Sequence, residues 1–482
     1  MTRFTRRGFT LNVGATAVAG WVARPMTTRA ADTDLAGYVF ANRIDEETGQ
    51  PGLTVLDLAG GGEKTVDVPP PNQLFPVLGT HFGIAAFTDA LLVLDAERAV
   101  ATEVTPVPGT RFDEPLGGRG LYPSYPVYPA PSDRYALLGE GGLVSFLVDL
   151  ERATALDLSA FAGEDRYFQV AALTPDGRRL VLGNGLSIVV VDLDTMKVGR
   201  TLAALADAGI RSPQLAPDGS RVAFAQRSGE DGAATIRVAH LDGEPAIVAD
   251  IPGGFASLRW TSDDALLVVT IDDSDSTIDR LDVATGRTTP VGVVAGVPAD
   301  VQVLAHGTRA LVSSEPVDAR IWSLLDVAAD RLIGLPELDG MISLGPAVRD
   351  ARAVLLGPDD YTGTGQAGER YAVLNTATGT VTTTVDRLLD QFHTIPVFSP
   401  DLRSVTIGVT GPAGDQLWLL DMVGGDLATI SDHLGAQFSP DGRHVLTRKI
   451  GRGNPLEIRD LAGDVVRELG AYDQGWWVGA GR

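Results

Sequence analysis

Cysteine is absent from all 482 residues. That excludes disulfides, thiolate metal sites, covalent haem attachment and cysteine nucleophiles together, so the fold must be held by packing and polar contacts. Only six histidines occur, which leaves little material for a metal-rich protein. Positive charge is also scarce: 39 Lys and Arg stand against 62 Asp and Glu, a net charge of −23. Such a surface repels phosphate backbones and anionic lipid headgroups, so nucleic-acid binding is disfavoured. The apolar run ending at Ala23 is about 16 residues, short of the ~20 needed to span a bilayer. H-E-x-x-H and G-x-S-x-G are both missing.

What is present begins with an address. "TRRGFTLNVGATAVAGWVA" places Arg6 and Arg7 ahead of Phe9 and a weakly apolar run. It resembles the twin-arginine export signal, with Thr5, Arg6, Arg7 and Phe9 on the family pattern and Thr10 where Leu is usual. The resemblance implies a signal peptide over residues 1–30, with Thr28 and Ala30 as small residues before the cleavage point. Removing it takes away five arginines and no acid, moving the net charge from −23 to −28. Export would deliver the folded protein to the periplasm, cell envelope or exterior, with no integral membrane segment left after cleavage.

The remainder repeats. "LTPDGRRLVLGN" starts at Leu173, "LAPDGSRVAFAQ" at Leu215, "FSPDLRSVTIGV" at Phe398 and "FSPDGRHVLTRK" at Phe438. "WTSDDALLVVT" at Trp260 is a weaker copy. Pro second and Gly fourth in "SPDG" suit a type I turn. A short apolar run precedes it and alternating residues follow, the pattern of strands. Next comes a third strand ending in Asp and a turn, as in "SIVVVDLDTMKVG" and "QLWLLDMVGGD", and a short fourth strand closes the unit. First strands are expected near residues 75, 125, 169, 213, 256, 299, 342, 393 and 434. This spacing of roughly 40 to 50 residues is that of propeller blades. No long helix is expected; "AALADAGI" at 203–210 offers one or two turns at most.

On these phrases the chain resembles β-propellers of the WD40-like, TolB-type family over almost everything after residue 35. The resemblance implies an all-β propeller of four-stranded antiparallel blades, about ten of them across residues 31–482, as one large ring or two smaller propellers. The first unit, "GYVFANRI…GLTVLDL…KTVDV", has three strands only. Trp476 to Gly479 is expected to supply its missing innermost strand and close the ring, removing open sheet edges.

Several motifs look chemical without the context chemistry needs. "GTGQAG" (363–368) fits G-x-G-x-x-G, but the strand "ERYAVLN" follows where a dinucleotide site needs a helix. "AGGGEKT" (59–65) has Glu63 where a P-loop needs Gly. Asp272, Asp273, Asp275 and Asp279 crowd one hairpin, yet Ile278 occupies the place where a calcium loop turns on Gly. No separate α/β segment follows the repeats, so a propeller-capped peptidase is not expected.

Geometry narrows the site. The "SPDG" turns join first and second strands, and the Asp-ended turns join third and fourth, so both lie on one face. The opposite face carries the second-to-third hairpins and the crossovers between blades, where propellers tend to bind ligands. His393 and His433 each stand six residues before the turn serine, a place held by Phe168 and Phe255 in other repeats. One reading makes the histidines metal or anion ligands; the other makes them packed side chains at the blade entry. The crossover Pro108 to Pro131 carries Tyr122, Tyr125 and Tyr128 among prolines, either a contact surface or a lid. Arg166, Tyr167 and Arg211 lie near the same rim. These eight residues are the candidate ligand- or partner-binding set; no catalytic residue, metal ligand set or cofactor is predicted. The expected function is an exported non-catalytic propeller binding a protein partner or small ligand on its crossover face. A lactonase-like or redox enzyme with a site at the channel mouth is the alternative, and a metal carrier the second.

Overall fold

A computed structural model describes residues 35–44, 51–68, 71, 73–77, 80–87, 90–108, 122–123, 134–139, 144–162, 168, 170–204, 209–227, 233–252, 254–272, 275–304, 307–315, 321–338, 342–349, 352–357, 368–375, 378–388, 397–399, 403–411, 414–421, 426–450, 455–472 and 474–479. Among these residues are ten sheets and no α-helix. The chain is a β-propeller. Blades two to ten open with first strands Gln73–Pro76, Tyr122–Pro123, Val170–Leu173, Ile210–Leu215, Gly254–Ser262, Val297–Val303, Ile342–Arg349, Val397–Phe398 and His433–Phe438. Each lies within four residues of its expected start.

Blade one is completed from the far end of the chain. Gln474–Val478 pairs antiparallel with Tyr38–Ile44, which continues to Pro51–Asp57 and Glu63–Val66. The closing strand begins two residues earlier than expected. Its anchor is Trp477, buried, with its indole N–H donating to the Ala36 carbonyl at 3.2 Å. Gln437 of blade ten clamps the same residue: its amide donates to the Trp477 carbonyl at 2.8 Å and accepts the Trp477 N–H at 2.7 Å. Backbone groups on the strand's free edge are thereby satisfied by a side chain of the preceding blade.

The blades are not uniformly four-stranded. The third carries a fifth strand, Thr105–Pro106, lying parallel on its outer strand Thr154–Asp157. The Thr105 and Val107 N–H groups donate to the Ala153 and Ala155 carbonyls at 3.0 Å, covering an edge that would otherwise stand open.

Strict alternation along the strands is weaker than expected, because both faces of a blade are buried. In Ser187–Asp192, Val189 and Val191 pack toward blade three while Ile188 and Val190 pack toward blade five. Apolar cores of this kind join blades one through eight in succession. Two more join nine to ten and ten to one.

The repeated turn does two jobs. In four blades its fourth residue donates back to the first: Gly177 to Thr174, Gly219 to Ala216, Gly307 to Leu304 and Gly442 to Ser439, all at 2.8–2.9 Å. All four glycines have positive φ. The second job is seating the neighbour. A Cβ on Gly219 would lie 2.3 Å from Pro175 of blade four, and one on Gly307 would lie 1.5 Å from the Thr261 carbonyl of blade six. Turn nests on turn around that face.

The third-strand Asp is equally local. Asp192 accepts the N–H and hydroxyl of Thr195, both at 2.8 Å, and Asp282 does the same with Thr285 at 2.8 and 2.7 Å. These bonds hold both carboxyl groups below the usual 3.8; Asp176 of the repeated turn is held low by the Thr174 hydroxyl and the Arg178 N–H. Cations then strap several blades to the next on this face. Lys64 reaches the Glu97 carbonyl, Arg179 reaches Asp242, Arg280 reaches Val327 and Asp330, and Arg467 reaches the Leu58 carbonyl.

Two outcomes follow. Gly307→Ala is expected to destabilise the protein by at least ~2 kcal/mol, from a left-handed backbone plus a backbone clash. Gly62→Ala, with nothing near its added Cβ, should stay within ~0.5 kcal/mol; equal effects in urea unfolding would refute turn nesting. The lowered carboxyl groups stabilise the fold above the ordinary carboxylate range, and that contribution is lost as pH falls through their folded values. Asp176→Asn with Asp192→Asn should therefore flatten the loss of thermal stability below about pH 4. An unchanged acid limb would contradict this.

Candidate functional site

The crossover face is built differently from the turn face. Where the chain enters the first strand, the pairing register is broken in five blades. The irregularities fall at Arg211/Gln214, Phe255/Ser257, Pro298/Asp300, Ser343/Val348 and His433/Ala436. Bulges at this place bend the strand and re-aim its side chains at the rim. Three of the candidate residues fall on described backbone at that rim: Tyr122, Arg211 and His433. Tyr125, Tyr128, Arg166, Tyr167 and His393 lie outside the described residues.

Tyr122 opens the first strand of blade three, paired with Gly139. Arg211 is exposed. Its successor Ser212 has φ of 48° immediately before Pro213, a left-handed backbone that costs a non-glycine residue roughly 1–2 kcal/mol. The reason is packing: Pro213 seats on Gly183 of blade four, where an added Cβ would lie 2.6 Å from the ring. The bulge that buries Pro213 leaves Arg211 facing solvent, with no described residue paired to it.

His433 is placed otherwise. It is 2% exposed, as deeply buried as its repeat equivalent Phe168, so it is packed between blades and not offered at the surface. The crossover into blade ten is the single residue Asp432, at φ 61°. The imidazole Nδ1 lies 2.7 Å from the Ser431 carbonyl. A carbonyl only accepts, so Nδ1 carries a proton, and the ring turns Nε2 toward Glu457. That atom is buried without a hydrogen-bond partner, 3.5 Å from Oε2 of Glu457. Glu457 is itself buried and accepts the Arg459 Nε–H at 2.9 Å, while Arg459 also donates to the Gly463 carbonyl. Thr447 pairs across to Glu457, so both leave the sheet on one face, and its hydroxyl is likewise buried and unpartnered. Leaving a buried polar group unpaired costs about 1–3 kcal/mol.

Sequence reasoning singled out His433 and missed Glu457, Arg459 and Thr447. A register signal existed. One residue before the third-strand Asp or its equivalent, the other blades bury Leu56, Leu94, Val148, Val191, Ala239, Leu281, Leu325, Leu374 and Leu420. Arg459 is the exception.

The acidic hairpin resolves into Ala265–Asp272 and Asp275–Asp282, with Asp273 outside the described residues. Asp279 sits within the third strand, its carboxyl pushed up by burial. Gly368 opens the strand Gly368–Asn375, as expected after "GTGQAG".

No protein-family model matches the chain, and no curated protein matches it in sequence. Among solved structures, a eukaryotic initiation factor is 12% identical over 92% of this chain and 98% of its own, with a TM-score of 0.46. An oligogalacturonate lyase in complex with manganese is 13% identical over 80% and 97%, at 0.41. The β-propeller domain of the Trilobed protease from Pyrococcus furiosus is 16% identical over 64% and 92%, at 0.32. The fold assignment rests on the ten sheets and their closure.

Ser212→Gly is expected to raise unfolding stability by up to ~1 kcal/mol, by relieving the left-handed backbone. A fall in the urea midpoint would mean the bulge is not strained.

Proposed function

We propose that the chain is a non-catalytic β-propeller exported by the twin-arginine route, and that it binds a protein partner or small ligand on its crossover face. Residues 1–30 are the signal and residues 31–482 one ring, a reading supported by the run of shared cores from blade nine through ten and one to eight. The observation that carries the binding assignment is the inequality of the two faces. On the turn face, Asp192 and Asp282 are taken up by the threonines of their own turns, and Arg179 and Arg280 reach acids of the next blade. On the crossover face a strained bulge holds Arg211 out in solvent, where a group reserved for a partner belongs. Tyr122 lies on the same rim, and Tyr125, Tyr128, Arg166, Tyr167 and His393 join the set from the sequence.

A pair of photo-crosslinkers tests this. One is placed at Asp275 on a crossover-side hairpin, the other at Ala284 on the opposite face, both exposed. In the protein's own export compartment, adducts are expected from Asp275 alone, reduced several-fold by Arg211→Glu. Equal yields from both faces, or indifference to Arg211→Glu, would remove the assignment. The mature mass in the same samples should begin at Ala31.

A further inference from the structure

We propose that the groove between blades five and six, with Asp279 at its base, is the docking site for a lysine or arginine side chain of a protein partner. The inference rests on the partner-binding reading and names the group that the partner brings.

The repeat supplies the first reason. Three residues before the third-strand Asp or its equivalent, only blades six and ten carry a carboxylate, Asp279 and Glu457. In blade six that place faces the preceding blade: Asp279 pairs with Val268, which shares a core with Ala225 and Ile236 of blade five. In blade ten the chain provides its own cation, since Arg459, two residues on, is bonded to Glu457. Blade six holds the buried Leu281 where that arginine would stand. The adjacent Arg280 is engaged elsewhere, with Val327 and Asp330 of blade seven. Asp279 is left half-buried, with no hydrogen bond or ion pair among the described residues. Burial alone pushes its carboxyl up.

The walls supply the second. On the outer strand Thr288–Ala295 of blade six, Pro290 pairs with Asp279, Val293 with Thr277 and Ala295 with Asp275. All three therefore share the sheet face of Asp279, and all three are exposed, Val293 at 61%. Blade five lines its side with Ala249 and Ile251. At the turn face the groove is shut: a Cβ on Gly286 would lie 2.4 Å from the Val248 carbonyl, so the blade-six turn rests on the outer strand of blade five. The open end lies toward the crossover face, beside the exposed Asp275. An apolar groove with an unpaired carboxylate at its base complements the aliphatic stem and charged head of lysine or arginine. A lone carboxylate offers too few ligands for a metal ion.

The mature protein is titrated with acetyl-Val-Lys-Val-amide and with its norleucine counterpart, which keeps the stem and loses the charge. The lysine peptide should bind at least about tenfold more tightly, the worth of a charge-assisted hydrogen bond. Asp279→Asn should erase that preference and, by removing an unpaired carboxylate, raise the melting temperature at neutral pH. Equal affinity for the two peptides, a lysine preference that survives in Asp279→Asn, or a melting temperature that falls in that variant overturns the site. Binding of n-butylammonium as tight as that of the lysine peptide would overturn the partner assignment, because a free amine would then suffice. None of these results bears on the adducts expected from Asp275, so failure of the groove is separate from failure of the partner-binding reading.

Discussion

One non-covalent pairing, that of Gln474–Val478 with Tyr38–Ile44, joins the two ends of this propeller chain. With no cysteine available, the chain cannot lock its ends by a disulfide. It uses a strand whose tryptophan is buried and whose main chain is gripped by Gln437 from the neighbouring blade. Each blade is too thin to fold alone, because both its faces are apolar and need neighbours. The pairing at the ends therefore sets the boundary condition for every interface between them. The straps and nested turns on one face reinforce the same succession between blades four and five and between six and seven.

That reinforcement explains why the two faces differ chemically. A turn that must accept the next turn within van der Waals distance has no room for variation, and its carboxylates are already committed to local N–H groups. Sequence freedom is pushed to the crossovers, where lengths range from the single residue Asp432 to the long stretch after blade two. First-strand bulges sit at the same end in five blades, while the shifts at Trp260/Ser262 and Val190/Val191 lie toward the turns. Crossovers of uneven length on a repeated set of blades are the distribution expected when a rigid scaffold presents a variable surface.

The architecture was legible because turn chemistry is local. Pro, Gly and Asp at fixed offsets reveal strand ends, and four blades could be read from "PD" phrases alone. The closing strand was legible by subtraction, since a three-stranded first unit demands a fourth. Bulges were not, because they depend on what the neighbour offers: Ser212 turns left-handed so that Pro213 can meet Gly183, thirty residues upstream in another blade. The fifth strand at Thr105–Pro106 is too short to carry a pattern. For the polar cluster, His433 stood out as a rare residue type. Glu457 and Arg459 did not, since charge is common in an acidic chain and only alignment of the third strands shows that an aliphatic belongs there.

That exception is the most informative departure from the repeat. At the Arg459 position an aliphatic packs in the other nine blades, and hydrophobic replacement of buried ion groups is commonly neutral or stabilising. Stability alone therefore gives no reason to hold a histidine, a glutamate and an arginine between blades nine and ten. The cluster is also internally incomplete: Arg459 satisfies Glu457, while Nε2 of His433 and the Thr447 hydroxyl are buried without a hydrogen-bond partner. What remains is a ring nitrogen and a hydroxyl buried without partners beside an arginine–glutamate pair, at a level where the other nine blades bury an aliphatic.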